Sequence, residues 1–114
     1  MADDAKTLAN DVGVTFKNME EETPDFMEPF RKVVQEGVKD GVLSAKVKEL
    51  ITVGIAVNAR CPFCIAVHVK KAVAAGATRA ELVDAGNVAV MMGGGPAATY
   101  MKYLFDAIEE FCTD

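Results

Sequence analysis

The sequence predicts an all-α fold, a compact single-domain bundle of about six helices. Three observations carry that expectation. Apolar residues recur at spacings of three and four along most of the chain. Capping residues and breakers stand at helix-length intervals, among them Thr23-Pro24, Ser44, Pro62, Gly76, Thr78 and the run Gly93-Gly94-Gly95-Pro96. No stretch alternates strictly with the two-residue period of a strand; Val88-Ala89-Val90 is short and lies inside a helical pattern.

Taken in order, Asp3 or Asp4 can cap a first helix running to about Glu22, with Leu8, Val12, Phe16 and Met19 as its apolar stripe. Thr23 is the expected cap of a second helix opened by Pro24 and running to about Lys39, which places Phe26, Phe30, Val33, Val34 and Val38 inward, with Gly41 closing it. Ser44 caps a third, broadly apolar helix through Val47, Leu50, Ile51, Val53, Gly54 and Val57. Asn58-Ala59-Arg60 reads as a turn. Pro62 then fits the first turn of a fourth helix, with Cys61 at or near its N-cap and Gly76 at its end. Thr78-Arg79-Ala80-Glu81 has the capping-box pattern and starts a fifth helix, which the three glycines end. Pro96 opens the last, carrying Tyr100, Tyr103, Leu104, Ile108 and Phe111. The whole of 1–114 reads as one domain, with N-terminal helices over 1–43 and a core over 44–112 that holds the cysteine motif.

Hydrophobic residues make up 51% of the 114, there is no Trp, and the formal net charge is -5. So apolar a short chain is expected to bury helix faces against other copies of itself. The negative charge argues against non-specific nucleic-acid binding and against an anionic membrane surface. Met1-Ala2-Asp3-Asp4 lacks the basic and apolar regions of a secretory signal, and the nearest apolar run, Leu82 to Met101, is broken by Asp84, Asn87, three glycines and Pro96. A cytosolic protein is expected. In that reducing compartment a Cys-x-x-Cys pair points to catalysis or metal binding rather than to a structural staple.

Cys61-Pro62-Phe63-Cys64-Ile65-Ala66-Val67-His68 holds two of the three cysteines and the single histidine. On a helix, Cys61, Cys64 and His68 form one stripe, and the two cysteine Cα atoms stand about 5 Å apart, within reach of a disulfide. Three effects favour a thiolate there: the positive end of the helix dipole, the unpaired amides of the first turn, and His68 as a proton acceptor for Cys64. The imidazole needs an orienting carboxylate, and Glu49, at the edge of the third helix's apolar face, is the candidate. Each residue has a blander reading as well: His68 as a packed imidazole, Glu49 as a solvated neighbour of Lys46 or Lys48, Cys112 as a packing thiol. A zinc site would need Cys112 or Glu49 as its fourth ligand. The glycine triplet has no following Lys-Ser/Thr and no preceding strand, so it is no phosphate loop; no cofactor is called for. Helix-start geometry favours Cys61 as the attacking sulfur and proximity to His68 favours Cys64, so the residues alone leave that choice open.

With these residues placed, the sequence resembles the alkylhydroperoxidase D-like (AhpD-like) branch of the carboxymuconolactone decarboxylase family. The match is Glu49, eleven intervening residues, then Cys61-x-x-Cys64-x-x-x-His68. It extends from about Ser44 past Leu82, while the first 40 residues are similar only loosely. The resemblance implies an all-α subunit assembling as trimers or hexamers, and a thiol-dependent peroxidase or disulfide reductase. It assigns Cys64 as the thiol that attacks a hydroperoxide, Cys61 as the resolving thiol, and Glu49 and His68 as the proton relay, with a separate dithiol as reductant. Some members carry a second histidine directly before the second cysteine; here that position is Phe63. The relay is then shorter, a change that reduction of a small disulfide survives more easily than peroxide turnover. Two other readings remain: a lyase of the decarboxylase kind using His68 and Glu49 for acid–base chemistry, and a non-enzymatic metal-binding module.

Overall fold

Five helical elements follow one another: α1 (Ala5–Glu22), α2 (Pro24–Val38), α3 (Ala45–Asn58), α4 (Pro62–Ala74) and α5 (Arg79–Phe111). They come from a computed structural model that describes residues 4–113. Asp3 and the acidic start of the chain therefore lie outside the described residues.

Most caps fall where local chemistry puts them. Asp4 accepts the Thr7 amide at 2.8 Å, and Ser44 accepts that of Val47 at 3.2 Å. Thr78 and Glu81 form a full capping box, with reciprocal bonds of 3.1 and 3.0 Å. Two expected signals behave differently. Thr23 stands at the N-cap position of α2, but its hydroxyl donates backward to the Met19 carbonyl at the end of α1 and does not cap α2. Gly41 does not close α2 either; that helix ends at Val38, and Lys39 is already extended.

Within α5 the expected fifth and sixth helices meet at a kink at Gly94, whose φ of 67° and ψ of -149° lie outside the helical region, so the span is two helices run together. Only glycine adopts that backbone cheaply. Gly93 serves a second purpose: a Cβ there would run into the Asn58 side chain, so its absence lets α5 pass close to the end of α3.

The core lies between α3, α4 and α5. Val53 and Val57, Ile65 and Val69, and Leu82, Leu104 and Ile108 are fully buried there, each contributing about 2 kcal/mol of apolar burial. Ala5 and Leu8 of α1 close one side. The second helix departs from the expected inward stripe. Met27 is its one buried residue among those described, whereas Phe26 is 67% exposed and Phe30 and Val33 are also exposed. This helix packs on α1 and α3 without reaching α4. It is held to α1 by an edge-on contact of Phe16 with Phe30, centroids 6.2 Å apart, and by the Arg31–Glu20 ion pair. The space it leaves beside α4 becomes the site.

Candidate functional site

The start of α4 is built from the turn before it. Arg60 takes a positive φ of 56°, a conformation L-residues rarely adopt, and so redirects the chain from α3 into α4. The Cys61 amide donates to the Ala56 carbonyl, fixing Cys61 as N-cap, and Pro62 follows at the first helical position, where a missing amide costs nothing. Cys61 and Cys64 are joined as a disulfide with Cα atoms 5.2 Å apart, the span the helical spacing predicts. The Cys61 sulfur also accepts the Cys64 amide at 3.1 Å.

The two sulfurs therefore have different surroundings. That of Cys61 caps the helix, where an amide and the dipole favour negative charge on it. Cys64 opens onto a groove of about 420 Å³. His68, one turn further along α4, lines the same groove. Its Nδ1 lies 2.8 Å from Glu49 Oε1; a carboxylate there favours the tautomer protonated at Nδ1, which leaves Nε2 for proton exchange.

Glu49 is 4% exposed and stands on the inward face of α3 with Val53, Ala56 and Val57. A carboxylate so placed needs a partner, and His68 is that partner. The surface reading of Glu49 fails because the neighbouring lysines are engaged elsewhere: Lys46 holds Glu81 at 2.9 Å and Lys48 donates to the Lys39 carbonyl. The Lys46 contact, followed by the Thr78 amide, holds the Glu81 carboxyl below the usual range.

All four residues singled out in the sequence thus meet at one place, Glu49 from α3 and Cys61, Cys64 and His68 from α4. Cys112 ends α5 outside the disulfide. Among the described residues, no three His, Cys, Asp or Glu side chains are grouped to hold a metal. No helix among them is long and apolar enough to cross a membrane.

The remainder of the groove was not legible as a site. Phe16 and Phe30 belong to predicted core stripes, yet they form its far wall. Lys71 lines it too, and it falls on the stripe Cys64, Val67, His68, Lys71 at helical spacing. That periodicity could have singled it out.

Residues 24–107 match the sequence profile of the Carboxymuconolactone decarboxylase family. An uncharacterised protein of Cupriavidus necator is 36% identical over 111 residues, covering 95% of this chain and 98% of its own. A carboxymuconolactone decarboxylase family protein of Legionella pneumophila superposes with a TM-score of 0.90 at 37% identity, over 94% of this chain and 96% of that one. A Thermotoga maritima member, for which involvement in an antioxidative response has been suggested, superposes at 0.70 with 23% identity over 84% of this chain and 88% of its own, and so speaks for the fold alone. The helical architecture, the profile match and the near full-length relatives agree: this chain belongs to the carboxymuconolactone decarboxylase family.

Proposed function

We propose that this protein is a cytosolic thiol-dependent oxidoreductase that reduces hydroperoxides through Cys64 and Cys61. One observation carries the reading: a disulfide across the first turn of α4 has one sulfur facing a groove that also holds an imidazole backed by a buried carboxylate.

In the reduced protein, His68 takes the Cys64 proton at Nε2 and Glu49 stabilises the imidazolium. The Cys64 thiolate attacks the terminal peroxide oxygen, and the O–O bond breaks. The departing alkoxide collects the proton from His68 and leaves as an alcohol, with Cys64 now a sulfenic acid. Cys61, ionised with help from the amide at the helix start, attacks the Cys64 sulfur. Hydroxide is expelled and leaves as water with the Cys61 proton. Two electrons have passed from the dithiol to the peroxide, and an external dithiol restores them by exchange. The position of Cys64 on the groove supports the order that the resemblance implies, with Cys64 meeting the oxidant and Cys61 resolving. The exchange step also suits a small disulfide as oxidant.

The test is to treat reduced parent, Cys64→Ser and Cys61→Ser with cumene hydroperoxide and weigh the products. The parent should lose two protons' mass, Cys61→Ser should gain one oxygen on Cys64, and Cys64→Ser should do neither. Equal turnover by parent and Cys64→Ser would sink the proposal. The His68–Glu49 pair equally suits the acid–base reading, so a lactone acid belongs in the same assay. Its consumption by a variant lacking both thiols would establish the lyase instead.

We further propose a homo-oligomer, formed through the apolar faces of α3 and α5. Val47, Ile51, Ile55, Val88 and Met92 there have little polar company, and Met92 is 74% exposed.

A further inference from the structure

The dithiol groove has a chemical polarity that narrows what it binds. Its walls come from three helices: Val12 and Phe16 of α1, Phe30 and Val34 of α2, and Phe63 and Val67 of α4. Phe63, directly before Cys64, adds an apolar wall beside the sulfur. Phe16 and Phe30 are each 43% exposed, so ring surface is left for a guest to cover. Hydrogen peroxide has no use for such walls. An organic hydroperoxide does.

The groove also holds a cation. Lys71 and His68 are its basic residues, and no acidic side chain lines it. That is notable in a chain with a net charge of -5. Lys71 forms no ion pair with the described acidic residues, whereas its neighbour Lys70 lies over the Phe111 ring of α5. Cys64 and Lys71 are separated by two helical turns, about 10 Å along the axis. The order along the groove is therefore reactive sulfur, proton carrier, apolar wall on either side, then a positive end.

We propose that the preferred substrate is an amphipathic hydroperoxide whose hydrocarbon body carries a carboxylate about 10 Å from the peroxide group. Lys71 takes the carboxylate, Phe16, Phe30 and Phe63 take the hydrocarbon, and the peroxide reaches Cys64. The proposal rests on the peroxidase reading above and deepens it. The chemistry is unchanged: the O–O bond accepts the two electrons of the dithiol, and the products are a hydroxy acid and water.

The experiment compares linoleic acid hydroperoxide, with its peroxide in mid-chain, against its methyl ester, which has the same body and no charge. Cumene hydroperoxide serves as reference. The readout is the acid-to-ester ratio of kcat/KM, so a general loss of folded protein cancels. The parent should favour the acid by roughly fivefold, as one partly exposed ion pair allows. The preference should fade with added salt. Lys71→Met should bring the ratio near one, Lys71→Glu should invert it, and Lys70→Met should leave it at the parent value. Phe16→Ala should weaken both long-chain probes relative to cumene hydroperoxide. Equal rates for acid and ester in the parent, or a ratio that survives Lys71→Met, would overturn the assignment while leaving the peroxidase intact. Failure of every hydroperoxide to oxidise the thiols would remove both.

Discussion

Two grooves on this molecule are nearly equal in size, about 420 Å³ beside the dithiol and about 410 Å³ between α3 and α5. Both are lined mainly by apolar side chains. The first also contains a thiol-derived sulfur, an imidazole and an ammonium group. The second contains aliphatic side chains and one amide, Asn58, with no titratable group. Volume and apolarity therefore do not separate a reaction site from a packing surface. Groups able to move protons and electrons do, and in the first groove they come with a supporting shell, Glu49 behind His68 and the α4 amide behind Cys61.

The sharpest break in that comparison would come from removing the shell and leaving the groove. Glu49→Gln keeps an oxygen for the His68 Nδ1–H but no charge to stabilise an imidazolium. Peroxide-driven oxidation should slow about a hundredfold with little change in stability. Glu49→Ala leaves the His68 Nδ1–H without its acceptor and should add a stability loss of about 2 kcal/mol. Stopped-flow thiol oxidation and urea unfolding separate the two. A Glu49→Gln enzyme as fast as the parent would show that His68 works without its carboxylate.

The second groove responds to a different attack. Ile55, 62% exposed, lies in the middle of the α3 face. If the proposed homo-oligomer forms through this face, Ile55→Asp should convert it to monomer by light scattering, because a charge buried without a partner costs several kcal/mol. Disulfide formation on addition of peroxide should persist, since Cys61, Cys64, His68 and Glu49 meet within one chain. A parent that is already monomeric at micromolar concentration would remove the reason proposed for this apolar face.

How much of each groove could be read in advance follows from the range of the interactions involved. Caps at Ser44 and Thr78 and the turn before Pro62 depend on neighbours within a few residues, so the sequence displays them. The Cys61, Cys64, His68 stripe is likewise set by the helical repeat. Glu49 could be nominated because a carboxylate on an apolar face must find a partner, though only the packing of α3 on α4 names His68. The second helix misled for the converse reason. Its Phe26, Phe30 and Val33 have helical spacing and apolar chemistry, but periodicity does not reveal whether another element covers the stripe. With α2 set away from α4, Phe30 lines a groove and Phe26 faces outward. The glycine triplet was visible as a break because only glycine takes the backbone found at Gly94, where the helix direction changes.

Acid should distinguish the helices bordering the two grooves, with the smallest effect of the set. Asp4 caps α1, which walls the dithiol groove; the Thr7 amide, first among several hydrogen bonds, lowers its pKa from 3.8 to about 2. Glu81 lies in the first turn of α5, a helix bordering the other groove, and is lowered chiefly by Lys46. Both carboxylates have folded values below their unfolded ones. Each contributes its full stability above the unfolded value, and that contribution is lost as pH falls through the folded value. For Asp4 the window runs from about pH 4 down to about pH 2. The parent should become less stable across it, and Asp4→Ala should show a shallower decline because it has already lost that contribution. Hydrogen exchange at Thr7 and Leu8 in parent and variant at pH 5 and pH 3 would measure the difference, after correction for the intrinsic exchange rate at each pH. Parent and variant amides whose protection falls equally over that interval would mean the cap does not hold α1 against the groove.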